Sequence, residues 1–184
     1  MLYSIYLGGH VMRYTVLIPG GFKPLHKGHY DYIKFYLDND DVKEVRLYVG
    51  DKKREEITIE HTEALLNLYG LMAHPKLVYR RAIERNGPNG PYTNPLADCY
   101  DWAENQPFEP VALGLSEKEQ GYSVGFKKYF AGIRENIIEA PLFKMKDQIS
   151  ATNFRKALRN YESISHFIPN GVDEKEVLKL FNVI

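Results

Sequence analysis

The sequence of 184 residues predicts an α/β fold, in which a doubly wound parallel sheet of about five strands carries a small helical appendage at the C-terminus. Three observations predict it. Short apolar runs rich in β-branched residues end at glycine or polar turns, as buried strands do. Stretches with helical spacing of apolar residues separate these runs. The composition, 44% hydrophobic and 26% charged, is that of an ordinary globular protein.

The predicted strands are the apolar runs in order along the chain. They cover residues 14–19, 44–49, 76–80, 111–115 and a fifth run within 136–143. Strands separated by helices of this length require crossover connections, which are right-handed and give a parallel sheet covered on both faces. The sequence therefore predicts a Rossmann-like arrangement.

The predicted helices fill the gaps between these strands. They cover residues 26–37, 59–73 with Thr58 as N-cap, 96–104, 150–160 and a last helix after Asp173. We expect one α/β domain over residues 12–160. We also expect residues 1–11 to be an N-terminal arm or extension, and residues 161–184 to be a C-terminal helical tail packed on the same domain.

Charge and composition exclude several classes of protein. Lys plus Arg and Asp plus Glu number 24 each, so the broad basic surface of a nucleic-acid binder is not expected. No apolar run is long enough for a membrane span, and the N-terminus lacks the pattern of a signal peptide. The single cysteine, Cys99, fits a reducing compartment and predicts a cytoplasmic protein. The sequence does not fix the oligomeric state, and a homo-oligomer is compatible with it.

The first candidate site is GGFKPLHKGH, residues 20–29, between the first strand and the first helix. Gly20 and Gly21 allow a tight turn with uncovered backbone amides, and a helix that begins near His26 directs its N–H groups at the same place. His26 and His29 project from one helical turn, with Gly28 leaving room for a phosphate between them. Two imidazole donors there would stabilise charge on a phosphorus centre. The alternative is a pair of capping or surface histidines, and no third ligand at a suitable spacing supports a metal site.

The second candidate site is ISATNFR, residues 149–155, at the start of the helix after the fifth predicted strand. Ser150 suits an N-cap, and Thr152 and Arg155 lie one turn apart, where both can contact one anion. Capping alone is the alternative for this segment. In a doubly wound sheet both segments face a common cleft, which gives a triphosphate a grip from two sides.

These two segments together resemble the HxGH-motif nucleotidyltransferase superfamily, also called the cytidylyltransferase-like fold, nearest to its nicotinamide-mononucleotide adenylyltransferases. The resemblance runs from about Met12 to Asn160. It implies catalytic roles for His26, His29, Thr152 and Arg155. The nucleotide contacts that we expect are Gly20, Gly21, Phe22, Lys23, Gly28, Gly114, Ser116, Lys118, Ile149 and Ser150.

The acceptor substrate is expected at the basic segment after the second strand. Lys52, Lys53 and Arg54 lie where similar proteins hold the acceptor phosphate, although a solvated charged turn is the alternative. Trp102 is a further candidate, for stacking on a base or a pyridine ring, with simple packing as its alternative.

The resemblance implies transfer of a nucleoside monophosphate from a nucleoside triphosphate to a phosphorylated small molecule, with release of pyrophosphate. Mg²⁺ is expected as the cofactor, bound mainly through the triphosphate, with no protein metal site. The KMKDQISAT version of the second segment favours ATP, and the first segment favours nicotinamide mononucleotide as acceptor. A cytidylyltransferase that uses CTP with a sugar or polyol phosphate is the first alternative. A non-catalytic nucleotide sensor is the second.

Overall fold

A computed structural model describes residues 13–116, 120–145 and 149–183, and the backbone of two short strands before them. The strands are β1 (Tyr6–Leu7), β2 (His10–Val11), β3 (Tyr14–Gly20), β4 (Val42–Val49), β5 (Leu77–Arg81), β6 (Glu84–Gly87), β7 (Gly90–Thr93) and β8 (Val111–Leu113). The helices are α1 (Lys27–Leu37), α2 (Ile59–Leu68), α3 (Pro95–Glu104), α4 (Gln120–Phe130), α5 (Ala151–Arg159) and α6 (Glu174–Leu180), with a 3₁₀ turn at Ser165–Phe167.

A parallel sheet of four strands, in the order β5-β4-β3-β8, forms the centre of the molecule. β4 and β5 follow β3 to one side, and β8 adds to its other side, so the strand order reverses between β3 and β8. The α/β prediction is confirmed. Two antiparallel pairs, β1 with β2 and β6 with β7, lie outside this sheet.

Helices cover both faces of the sheet, as alternating side chains of β3 show. Val16 and Ile18 belong to a core with buried residues of α1, α2 and α5, whereas Leu17 faces a second core with buried residues of α3 and α4. The first core also includes Ile164, Ile168 and Val177, so the segment after α5 packs on the same domain.

The helix starts follow local capping rules. Thr58, Ser150 and Asp173 are the N-caps of α2, α5 and α6, as predicted. α2 ends at Leu68, earlier than predicted, because the chain turns at Gly70 with φ +74.

The fifth predicted strand, within residues 136–143, is wrong. This segment runs beside β8 but makes only two isolated parallel bridges, Val111 with Ile137 and Ser116 with Phe143. Pro141 lies between them and has no N–H to donate, which interrupts a continuous ladder. Helix α4 was not predicted from the sequence, although its Phe126 and Phe130 are buried one turn apart in the second core.

No helix in the described part of the chain has the length and apolar character of a membrane span.

Candidate functional site

A cavity of about 640 Å³ opens at the carboxyl ends of the parallel strands. Gly20 and Gly21 close β3, Gly50 follows β4 and Leu115 follows β8, and all of them line it. The reversal of strand order beside β3 creates a crevice here, which is where doubly wound folds bind ligands. Its size suits a small-molecule substrate. We call it the large cavity.

A second cavity of about 290 Å³, the small cavity, adjoins the first. The two share Gly20, Gly21, Phe22, His29 and Ala151 in their walls. The predicted residues that line the small cavity also include His26, Gly28, Ser116, Ile149 and Ser150. The two segments singled out in the sequence, 20–29 and 149–155, therefore meet at one place.

His26 and His29 form a reciprocal capping box at the start of α1. The Nδ1 atom of His26 accepts the backbone N–H of His29 at 3.3 Å, and the Nδ1 atom of His29 accepts that of His26 at 3.4 Å. The rings stack with centroids 3.6 Å apart. Because each Nδ1 acts as an acceptor, each neutral ring carries its proton on Nε2 and is a donor there.

Burial, reinforced by the neighbouring imidazole of His26, lowers the pKa of His29 well below its ordinary value. His29 is therefore a neutral hydrogen-bond donor at pH 7. It lines both cavities, whereas His26 lines the small one and is 3% exposed. Capping and cavity lining thus coexist in the same two side chains.

The ring of Phe22 explains why residue 20 is a glycine. The backbone of Phe22 lies in the left-handed region, with φ 51, and its ring meets His29 edge-on at 5.0 Å. A Cβ atom at Gly20 would lie 2.4 Å from the Phe22 ring. Gly28 also has little space for a side chain, because a Cβ atom there would lie 3.0 Å from Met145 Sδ and 3.1 Å from the His26 ring.

Lys23 is 4% exposed, and its ammonium donates to the carbonyl oxygens of Gly21, at 3.3 Å, and Gly50. Burial lowers its pKa. Lys23 lines the large cavity, but it also ties the ends of β3 and β4 together. The sequence predicted Lys23 as a nucleotide contact but did not indicate that it also links these two strand ends.

The second segment places its polar groups at the start of α5. Ser150 Oγ accepts the N–H of Asn153 at 3.1 Å, which is the predicted cap. Arg155 lines the large cavity, and its Nη2 donates to Thr152 Oγ1 at 3.2 Å. Arg155 Nη1 also donates to the carbonyl oxygen of Lys23 at 2.8 Å, which joins the two segments directly.

The basic segment after β4 divides into residues at the cavity and residues away from it. Lys52 and Arg54 line the large cavity. Lys53 is not among its lining residues and pairs with Glu56 at 2.9 Å. Trp102 is also absent from both walls, and the Arg46 guanidinium covers its ring at 4.7 Å. The structure does not bring Lys53 or Trp102 to the site. Thr152 is also absent from both walls and is connected to the large cavity by its hydrogen bond with Arg155.

The predicted nucleotide contacts after β8 have separate placements. Ser116 lines the small cavity. Gly114 is needed for packing, since a Cβ there would lie 2.7 Å from Val16 Cγ1. Lys118 lies outside the described residues.

The large cavity has a further wall that the sequence analysis missed. It consists of the start of α3 and one aromatic residue of α4, namely Thr93, Asn94, Pro95, Leu96 and Tyr122. Asn94 caps α3 and Pro95 occupies its first turn, so the Asn-Pro pair was a readable helix-start signal. Nothing local to Tyr122 distinguishes it from the other tyrosines. The described residues include no group of three or more His, Cys, Asp or Glu side chains suited to a metal ion.

Comparison with solved structures identifies the fold. A protein from Vibrio parahaemolyticus that has been assigned as a nicotinate-nucleotide adenylyltransferase matches 91% of this chain and 99% of its own, with a TM-score of 0.60 and 16% identity. The nicotinic acid mononucleotide adenylyltransferase of Plasmodium falciparum, complexed with APC, matches 93% and 97%, with a TM-score of 0.63 and 12% identity. The chain has the fold of these nucleotidyltransferases.

The likeness to both proteins extends over nearly the whole chain, so the fold is shared over that length. No protein-family model matches the sequence, and no curated protein matches it significantly. The activity is therefore argued from the residues of the site.

Proposed function

We propose that the protein transfers an adenylyl group from ATP to the phosphate of a small acceptor, with nicotinamide or nicotinate mononucleotide as the leading candidates. The observation that carries this proposal is the convergence of His29 and Arg155 on one cavity, with His26 and Ser150 in the cavity beside it. The fold shared with two adenylyltransferases that are named for nicotinate nucleotides supports the choice of acceptor.

In the proposed reaction, a phosphate oxygen of the acceptor attacks the α-phosphorus of ATP in line. A new P–O bond forms, the bond between the α-phosphorus and the bridging oxygen breaks, and pyrophosphate leaves with the bonding electrons. The attacking phosphate oxygen is already ionised at pH 7, so no general base is needed. Catalysis rests on positioning and on stabilisation of charge.

The residues of the two segments divide this work. The Nε2–H groups of His26 and His29 donate to oxygens of the α- and β-phosphates. Arg155, Thr152 and the start of α5 hold the β- and γ-phosphates as negative charge grows on the leaving group. Mg²⁺ would be held mainly by the triphosphate, since the described residues include no cluster suited to a metal ion, and it would neutralise part of the phosphate charge.

The acceptor occupies the part of the large cavity beside the end of β4. Lys52 and Arg54 lie there with the start of α3, and they supply positive charge and backbone N–H groups for its phosphate. Tyr122 lies in the same wall and offers an aromatic face to a planar ring. We assign it the stacking role that the sequence analysis gave to Trp102.

Release of pyrophosphate from ATP and from CTP, measured across a panel of phosphorylated acceptors, tests the proposal. The panel contains nicotinamide mononucleotide, nicotinate mononucleotide, phosphopantetheine and glycerol phosphate. We expect turnover with ATP and a mononucleotide, and a dinucleotide product on chromatography. Turnover with CTP alone would favour the cytidylyltransferase. Nucleotide binding without turnover of any acceptor would favour the sensor.

A further inference from the structure

Glu55 belongs to neither segment of the site, yet it contacts a residue at its centre. It follows β4 in the connection that also carries Lys52 and Arg54. Its Oε1 accepts the Nε–H of Arg155 at 3.0 Å, and its Oε2 lies 3.5 Å from Arg159 Nη1. The carboxylate thus joins the acceptor side of the cavity to the helix that carries Arg155.

The hydrogen bonds of Arg155 leave a definite part of its guanidinium for a ligand. Three of its five N–H groups have partners among the described residues: Nε–H on Glu55, one on Nη1 with the Lys23 carbonyl, and one on Nη2 with Thr152. One N–H on Nη1 and one on Nη2 remain. A planar guanidinium fixed at three points presents those two donors in a set direction.

The backbone fixes the position of the Glu55 carboxylate. Arg54 and Ile57 exchange two hydrogen bonds of 3.0 Å, which close a tight turn around Glu55 and Glu56. Glu55 itself adopts φ 55, and Ile57 is buried, so the turn is anchored to the core. Glu55 is therefore suited to hold another side chain in place.

We propose that Glu55 is a positioning residue of the reaction, which holds the Nε edge of Arg155 so that its remaining Nη donors face the leaving pyrophosphate. This inference rests on the proposed function. Glu55 acts through Arg155 and does not itself contact the substrate.

A carboxylate at this place also offsets the charge of Arg155, which would weaken attraction to a triphosphate. The side chain of Glu55 is 42% exposed, so solvent and salt screen this opposing effect. The direction of the guanidinium donors is not screened. We therefore expect the reach of the side chain to matter more than its charge.

Two conservative variants separate reach from charge. Glu55→Gln keeps an oxygen acceptor at the same reach and removes the charge, whereas Glu55→Asp keeps the charge and shortens the side chain by one methylene. The matched control is Glu56→Asp, at the next residue. The side chain of Glu56 is 93% exposed, and among the described residues its one ion pair is with Lys53. Each variant is assayed for kcat, for the KM of ATP, and for ATP affinity by calorimetry.

We expect E55D to lower kcat about tenfold, because a displaced guanidinium no longer meets the leaving group. ATP affinity should change less than kcat, since the other phosphate contacts persist. The kcat of E55Q should stay within about threefold of the wild-type value, because glutamine keeps an oxygen acceptor at the same reach. The kcat of E56D should equal the wild-type value.

Two results would overturn the positioning role. They are wild-type kcat in E55D, and a loss of kcat in E55Q as large as that in E55D. A wild-type protein that turns over no acceptor would instead refute the proposed function, and this inference with it. An active wild type with unaffected variants refutes the positioning role alone.

Discussion

His29 and His61 occupy equivalent positions in two helices and make the same local contact. Each is the third residue of its helix, and each Nδ1 accepts the N–H of the N-cap residue, at 3.4 Å for His29 and 3.1 Å for His61. His29 lines the two cavities of the site, whereas His61 stacks on Phe181 at 5.0 Å. Comparing the two histidines therefore tests the capping role separately from the catalytic role proposed for His29.

We predict that His29→Ala lowers kcat by about 10²-fold or more with little change in ATP affinity, because a donor to the transition-state charge is lost. His61→Ala should lower the free energy of unfolding by about 1 kcal/mol, as loss of the same capping hydrogen bond does in His29→Ala, and should leave kcat unchanged. Steady-state kinetics and urea unfolding of both variants check this. Equal kinetic losses in the two variants would reduce His29 to a cap.

The lowered pKa of His29 also predicts how stability depends on pH. In the unfolded chain this imidazole has a pKa of about 6.5, and burial beside His26 lowers it in the folded protein. Between the two values the unfolded chain binds more protons, so acidification favours unfolding. The stabilising contribution is complete above about pH 6.5 and is lost as the pH falls toward the folded-state pKa.

Urea unfolding at pH 7.5, 6.5 and 5.5 measures this contribution. The free energy of unfolding should fall on the acid side by at most about 1.4 kcal/mol per pH unit from this one group. His29→Gln should show a shallower fall over the same range. An identical slope in the variant would show that other groups carry the pH dependence.

At the scale of elements, the connection from β3 to α1 contains two glycines with different neighbours. A Cβ at Gly20 would lie 2.4 Å from the ring of Phe22, whereas a Cβ at Gly21 would meet nothing within 4 Å. Phe22 is buried and packs edge-on against His29. Gly20 therefore serves the packing of the connection, and Gly21 leaves space on the cavity side.

We predict that Gly20→Ala lowers the free energy of unfolding by about 1–3 kcal/mol, as overpacking does, and lowers kcat through the displaced Phe22 ring. Gly21→Ala should leave stability close to that of the wild type and raise the KM of ATP, because the added methyl projects into the cavity. Thermal unfolding and steady-state kinetics separate the two. Loss of stability in G21A but not in G20A would contradict this assignment.

At the scale of the whole molecule, local patterns predicted the elements whose signals are local. The strands β3 and β4 and the caps Ser150 and Asp173 are such features. The segment wrongly predicted as a fifth strand contains a proline, which cannot donate a hydrogen bond to a neighbouring strand. Whether such a segment forms a continuous strand also depends on its partner strand, which the local pattern does not show.

The rest of the site depends on long-range packing, which a single sequence does not display. Trp102 carried an aromatic signal but lies under Arg46, and Tyr122 without any local signal lines the cavity. Lys23 is a further case, because its ammonium donates to the carbonyl oxygen of Gly50, which follows the neighbouring strand β4. These placements follow from topology.

The C-terminal segment offers a test of how far the molecule unfolds as one unit. Val177 of α6 is fully buried in the first core, whereas Trp102, the single tryptophan, packs on the second core across the sheet. Val177→Ala should lower the free energy of unfolding by about 2 kcal/mol through the lost methyl groups and the cavity they leave. Val124→Ala on the exposed side of α4 is the matched control and should change it by less than about 0.5 kcal/mol.

If the two cores unfold together, the fluorescence of Trp102 and the far-UV circular dichroism report the same urea midpoint. In V177A both midpoints should then shift by the same amount, even though Trp102 and Val177 lie on opposite faces of the sheet. A shift in circular dichroism without a shift in fluorescence would mean that α6 unfolds separately from the sheet. The tail would then be a separable appendage, although Ile164, Ile168 and Val177 share one core with β3.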